Sequence, residues 1–63
     1  MNQYELPKIL NLADTAEYLS TKESHVRALV FKNEIPHFKL GRLLRFEIEK
    51  LDNWIKENSH EGE

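Results

Sequence analysis

The apolar residues of this chain follow two different periods, and the change between them falls at Pro36. Before Pro36, apolar side chains recur at steps of three and four residues, which is the period of one face of a helix. After it they alternate with polar side chains up to residue 46, as in strands with one buried face. Pro36 lacks a backbone donor and biases Ile35 away from helical angles, so a helix must end before it. The chain is therefore predicted to be mainly α-helical with a small β-hairpin.

The chain is short and contains no cysteine, so apolar packing alone must hold its core. Its 63 residues form one domain at most, and a domain of this size buries only about 60% of its unfolded surface. Disulfides and thiolate metal sites are excluded. No apolar run approaches the roughly 20 residues of a membrane helix, and residues 1–8 do not resemble a signal peptide. We expect a cytoplasmic protein without membrane association, with an N-terminal arm at residues 1–8, a folded domain at 9–58 and a flexible acidic tail at 59–63.

Two short helices are predicted before Pro36, with a break of a few residues between them. The first begins after Asn11, whose side chain can cap free backbone N–H groups, and ends near Leu19. The second covers about residues 22–32, and Thr21 is its expected N-cap because the hydroxyl can reach the amide of Ser24. A third helix is predicted after the hairpin, over about residues 47–58. Its apolar residues, which are expected to close the core over the hairpin, are Ile48, Leu51, Trp54 and Ile55.

The hairpin has two possible registers, and they differ in the face on which Arg45 lies. A two-residue loop pairs residue 40 with 43 and 38 with 45, so that Arg45 shares a face with Phe38. A three-residue loop over residues 41–43 pairs 40 with 44 and 38 with 46, which gathers the apolar side chains on one face. We favour the three-residue loop, which places Lys39, Leu43 and Arg45 together on the outward face.

The middle of the chain is basic, although the whole chain has a formal net charge of −2. Residues 22–45 hold six of the nine Lys and Arg residues and only two acids, a net charge of +4. The remainder has three Lys and nine acids, a net charge of −6. Association follows the local field of one face more than the total charge, so a nucleic acid remains a possible partner.

Enzyme chemistry has little support in the sequence. The three histidines, His25, His37 and His60, are scattered without the spacing of metal ligands. Ser24 and His25 are neighbours, but successive positions of a helix diverge and do not form a catalytic pair. We expect no catalytic residue, no metal and no cofactor.

The first two helices fit either an ordinary helical hairpin or a helix-turn-helix. The second interpretation requires a small residue where the helices meet, a tight turn and apolar residues on the buried side of the second helix; Ala16, Ser20, Val26 and Leu29 fall at these places. The residues that match a known family are 16–19, Ser24, Val26, 35–36, 40–42, 45–46 and 51–55. On these residues the run from Ile9 to Ile55 resembles the excisionase-family helix-turn-helix, which is related to the DNA-binding part of MerR regulators. The resemblance implies a winged helix-turn-helix with its second helix in the major groove and its wing against the backbone or the minor groove.

Candidate DNA contacts lie on the second helix and on the wing. Arg27 suits guanine because its planar fork can bind O6 and N7 together, Ala28 suits a thymine methyl, and Lys22 near the helix start suits phosphate. The full set on the helix is Lys22, Glu23, Ser24, His25, Arg27, Ala28 and Lys32, and that on the wing is Lys39, Gly41, Arg42, Leu43 and Arg45. The family commonly has Ser then Arg at positions 22 and 23, and a second Arg at position 28. Leu43 can be a minor-groove wedge, a contact to another protein or an ordinary exposed residue, and these alternatives stay open.

Three functions are compatible with these features. The first is a sequence-specific DNA-binding protein that serves as an excisionase of a phage or mobile element, which binds and bends DNA to direct a site-specific recombinase (integrase). The second is a small MerR-like regulator of transcription, and the third is a protein-interaction module that does not bind DNA. One module of this size contacts only about 600–1,000 Å² of DNA-facing surface, so cooperative self-association on double-stranded DNA is also expected.

Overall fold

The computed structural model describes residues 8–59, which form three helices and a three-stranded antiparallel sheet. In chain order the elements are β1 (Ile9–Leu10), α1 (Leu12–Tyr18), α2 (Glu23–Phe31), β2 (Phe38–Leu40), β3 (Leu43–Glu47) and α3 (Ile48–Glu57). The predicted helices and hairpin are confirmed, whereas β1 was not predicted. The predicted arm at 1–8 and tail at 59–63 lie outside the described residues, apart from Lys8 and Ser59. None of the helices described is long and apolar enough to cross a membrane.

The core is one small cluster gathered around the central strand β3, with β1 on one edge and β2 on the other. Its buried residues are Ala16, Val26, Ile35, Phe46 and Leu51. Each comes from a different part of the chain, so the core joins both helices of the first pair, the connection after α2, the sheet and α3. Ile55 does not join them: it is 38% exposed, and Trp54 packs against the cluster instead.

Both α1 and α2 end in the same hydrogen-bonded turn, with a residue in the left-handed conformation. Ser20 has φ 58° after α1, and Asn33 has φ 59° after α2. In each turn the next backbone N–H bonds back to the third-last residue of the helix, from Thr21 to Ala16 O at 2.8 Å and from Glu34 to Leu29 O at 2.8 Å. These are Schellman turns, which satisfy carbonyl groups that a helix end leaves free. The first of them produces the tight turn between α1 and α2.

The predicted helix caps have different outcomes. Asn11 caps α1 as expected, since its Oδ1 accepts a hydrogen bond of 2.7 Å from the amide of Asp14. The predicted cap at Thr21 is wrong, because Lys22 is the N-cap of α2 and no side chain bonds the first turn. The Thr21 hydroxyl instead lies 2.9 Å from Nδ1 of His25.

The predicted three-residue hairpin loop is also wrong. Phe38 pairs with Arg45 and Leu40 with Leu43, so the loop consists of Gly41 and Arg42 alone. Gly41 has φ 62°, and a single positive φ at the first loop position is the pattern of a type II′ turn, whose twist matches that of the paired strands. The conformation of the turn therefore decides the register, although a three-residue loop would have placed all the apolar side chains on one face.

This register divides the hairpin differently from the prediction. Phe46 and Leu44 face the core, and Lys39 shares their face because it pairs with Leu44. The predicted grouping of Lys39 with Arg45 is therefore wrong. The opposite face carries Phe38, Leu40, Leu43 and Arg45, and it continues to Ile9, which pairs with Glu47. We call this the outer sheet face.

Replacement of Ser20 by glycine is expected to stabilise the domain by about 0.5–1 kcal/mol. A left-handed residue with a Cβ is strained by about 1–2 kcal/mol, and the greater freedom of glycine in the unfolded chain offsets part of the gain. Asn33→Gly is the matched control and should gain less, because asparagine tolerates this conformation. Thermal unfolding followed by circular dichroism measures both variants, and a gain of this size shifts Tm by several degrees. A Tm of Ser20→Gly at or below that of the parent protein would contradict the expectation.

Candidate nucleic-acid interface

Helix α2 has one buried side and one side that is free of the rest of the fold. Val26 is fully buried, and Leu29 and Val30 pack beside it against the core. The opposite side carries Ser24, Arg27, Ala28 and Phe31, all of which are exposed. Steps of three and four residues place these four on one stripe of the helix. We call them the outward stripe.

The start of α2 adds polar groups beside the outward stripe. Lys22 and Glu23 are both exposed, at the end where backbone N–H groups and the helix dipole favour an anion. His25 is exposed as well, and its contact with Thr21 orients the ring through Nδ1. Lys32 is exposed at the other end, at the C-cap. The helix therefore presents cations at both ends and Arg27 between them.

Most of these cations have no partner within residues 8–59. Among the described residues an ion pair lies elsewhere, between Lys50 Nζ and Glu47 Oε1 at 3.6 Å, at the start of α3. Arg27, Lys32 and Arg42 make neither an ion pair nor a side-chain hydrogen bond to this part of the chain. Their charge is thus free to act on a ligand.

The cations of the wing differ in their exposure and in the face on which they lie. Arg42 is exposed at the tip, next to Gly41. Arg45 is half-buried, and its guanidinium donates a hydrogen bond of 2.7 Å to the Leu44 carbonyl. Lys39 is exposed, but on the other face of the hairpin. The predicted wing residues therefore do not form one surface.

The outer sheet face is more apolar than the sequence suggested. Leu40 and Leu43 pair across β2 and β3, and they are 56% and 54% exposed. Phe38 and Ile9 are partly exposed on the same face. Two paired leucines beside Arg42 and Arg45 form an apolar surface with a basic rim, which is a feature of interaction sites.

Helix α1 connects α2 to the wing. It packs against both α2 and β3, and α3 packs against β3 from the same core. The Tyr18 hydroxyl, at the end of α1, donates a hydrogen bond to Oδ1 of Asp52 in α3. This bond joins α1 directly to α3, so it helps to hold the helix-turn-helix in place against the last helix.

A shallow cavity of about 340 Å³ lies between the connection from α2 to β2 and the junction of β3 with α3. It is lined by Pro36, His37, Phe38, Glu47 and Lys50. His37 donates from Nδ1 to the Ile35 carbonyl at 2.8 Å, so its ring is oriented by the backbone. Residues 8–59 contain no group of three His, Cys, Asp or Glu side chains that could hold a metal ion.

Two features of this surface were missed from the sequence. The first is Phe31, for which the sequence predicted no role. The apolar outer sheet face was missed because the wrong register moved Phe38 and Leu40 to the core. A glycine at the first position of a two-residue loop was the signal for the correct register.

A tight helix-turn-helix with an exposed second helix, followed by a two-stranded hairpin and a closing helix, defines a winged helix-turn-helix domain. A family model described as the helix-turn-helix domain matches residues 9–59, and the chain belongs to that family. This is a DNA-binding domain that is found in excisionase-like proteins, so the partner implied by the family is DNA. No curated protein and no solved structure gives a match.

The Tyr18–Asp52 bond makes the high-pH behaviour of the domain predictable. The hydrogen bond to Asp52, then desolvation and then the charge of the carboxylate raise the pKa of Tyr18 above its ordinary value of 10.0. The folded state therefore holds the phenol proton more tightly than the unfolded state. The stabilising contribution is fully present below pH 10.0 and is lost as the pH rises through the folded pKa.

Ultraviolet titration of phenolate formation tests this expectation. Tyr18→Phe leaves Tyr4 as the only other tyrosine, so the difference between its curve and that of the parent protein isolates Tyr18. In Asp52→Asn the pKa of Tyr18 should fall back toward its ordinary value, because the carboxylate acceptor and its charge are gone. An unchanged Tyr18 curve in Asp52→Asn would show that the bond does not control this proton.

Proposed function

We propose that this protein is a sequence-specific DNA-binding protein of the cytoplasm that acts as an excisionase, a factor that directs the site-specific recombinase of a phage or mobile element. The observation that carries the DNA-binding part is the outward stripe of α2. Its Arg27 is exposed and unpaired among the described residues, while the other side of the helix is buried in the core. A rigid helix with a free cation is the arrangement that reads a major groove.

In this proposal α2 lies in the major groove with its start toward the phosphate backbone. Lys22 and the free N–H groups of the first turn contact phosphate, and Ser24 contacts phosphate or a base edge. Arg27 reads guanine through O6 and N7, and Ala28 lies against a thymine methyl. Glu23 accepts a hydrogen bond from a cytosine amino group, since it would otherwise repel the phosphates.

The wing contributes affinity through its tip. Arg42 is exposed and unpaired within residues 8–59, so it is suited to contact phosphate or a narrow minor groove. Arg45 contributes less, because its guanidinium already bonds the Leu44 carbonyl.

The excisionase role requires contact with other proteins on DNA. The domain family occurs in excisionase-like proteins, and the outer sheet face offers an apolar surface beside the basic wing tip. We infer that Leu40 and Leu43 form a contact with a second copy of the chain or with the recombinase. A small recognition surface makes such cooperation necessary for tight specific binding.

The DNA-binding part predicts a distinct response of each cation to substitution. Arg42→Ala should weaken binding to all duplexes and make the negative slope of log K against log salt shallower by about 0.9, because one phosphate contact is lost. Arg27→Ala should instead reduce the preference for a selected duplex over a random one by about 1–3 kcal/mol. Fluorescence anisotropy at several salt concentrations, on a duplex selected from a randomised library and on a random duplex, measures both effects.

Lys56→Ala is the matched control for these variants. It removes the same charge from the last turn of α3, an element that carries neither the outward stripe nor the wing. Its affinity and salt slope should equal those of the parent protein. Equal losses in all three variants would mean that total charge controls binding, and no binding to any duplex at low salt would favour a protein-interaction module.

The excisionase role predicts a change in recombination. Addition of the protein to its recombinase and an attachment-site plasmid should increase the excised product, and Leu40→Ser combined with Leu43→Ser should remove this effect while binding of a single protomer to DNA persists. Quantitative PCR of the excised junction measures the product. An unchanged excision frequency, together with altered transcription from a promoter carrying the bound site, would support the MerR-like regulator instead.

A further inference from the structure

Phe31, at the end of α2, is the most exposed large apolar side chain of the described residues. It is 91% exposed, so its ring contributes almost nothing to the core. It is also the last residue of α2, directly before the Lys32 cap. Folding therefore does not explain why an aromatic side chain occupies this position.

The location of Phe31 relates it to the DNA-reading side of the helix. Ser24, Ala28 and Phe31 follow one another at steps of four and three residues, and they form the line most directly opposed to Val26. Arg27 lies along one flank of this line and Lys32 along the other, and both are exposed. The ring is thus part of a surface whose neighbouring charges favour an anionic partner.

For a helix that lies along the major groove, the distance between Arg27 and Phe31 on the helix axis predicts which base pair the ring would meet. Arg27 and Phe31 are four residues apart, which is about 6 Å along the axis at 1.5 Å per residue. That distance corresponds to about two base-pair steps of roughly 3.4 Å. In the major groove, the apolar group that a phenylalanine can contact is the C5-methyl of thymine.

We propose that Phe31 is a specificity-determining residue, which recognises a thymine methyl about two base pairs from the guanine read by Arg27. This inference rests on the proposed DNA-binding function and adds to it a further apolar contact, beside the one proposed for Ala28. A protein surface is the competing partner for an exposed ring, and it makes a different prediction, namely association without DNA.

The test is a double-mutant cycle in which one change removes the Phe31 ring and the other removes a thymine methyl. The affinities are measured on duplexes that the parent protein selects from a randomised library. Each thymine of the selected duplex is replaced in turn by uracil, which removes only the methyl. At one position this change should weaken binding of the parent protein about fourfold, the effect of one buried methyl-sized group. The same change should have no effect on Phe31→Ala, and the two changes should couple.

The position of the methyl is tested separately. Replacement of single guanines by 7-deazaguanine removes the N7 acceptor. Arg27 reads the guanine whose replacement weakens binding of the parent protein but does not weaken binding of Arg27→Ala. The thymine coupled to Phe31 should lie about two base pairs from it. Phe31→Leu should retain the methyl effect, whereas Ile55→Ala, which truncates a partly exposed residue of α3, should leave all affinities unchanged.

The outcomes separate this inference from the proposed function. If Arg27 couples to a guanine but Phe31 couples to no thymine methyl, the inference is overturned and DNA recognition by α2 still stands. Failure to select any duplex would overturn both. Sedimentation equilibrium without DNA completes the test, since a dimer that Phe31→Ala converts to a monomer would assign the ring to protein association.

Discussion

The burial of Phe46 in the central strand is the constraint on which the rest of the structure depends. Its side chain is fully buried, Leu10 of β1 pairs beside it, and Val26 and Leu51 belong to the same cluster. One aromatic residue therefore connects α2, the sheet and α3. Because side chains alternate along a strand, its inward position also turns Leu44 inward and sends Leu43 and Arg45 outward.

The small size of this core explains why the surface carries large apolar side chains. Few inward positions exist in a domain of 63 residues, so several large apolar side chains stay outside. The three most exposed of them in the described residues lie on two surfaces: Phe31 is on the outward stripe of α2, and Leu40 and Leu43 lie together on the outer sheet face. In the proposed function, the first belongs to the surface that contacts DNA, and the second belongs to the surface that contacts another protein. The same chain can thus combine DNA recognition with assembly on DNA.

Local features were predictable, and features that depend on a distant partner were not. The start of α1 followed from Asn11, because a cap involves only the next few residues. The cap at Thr21 failed although it too is local, since two acceptable partners competed and the hydroxyl paired with His25. Strand β1 has only two residues and no pattern of its own; it exists because β3 offers it an edge.

The sequence by itself determined the order of the three helices and the hairpin, the break at Pro36, the basic segment and three of the four residues of the outward stripe, because helical periodicity and proline geometry act over a few neighbouring residues. Only the tertiary structure decided the hairpin register, the separation of Lys39 from Arg45, the burial of Ile35 and the bond between Tyr18 and Asp52. These depend on which distant surfaces meet. A shift of one residue in a strand exchanges its two faces, and counting apolar residues could not choose between the two loops; the left-handed Gly41 in a two-residue turn did.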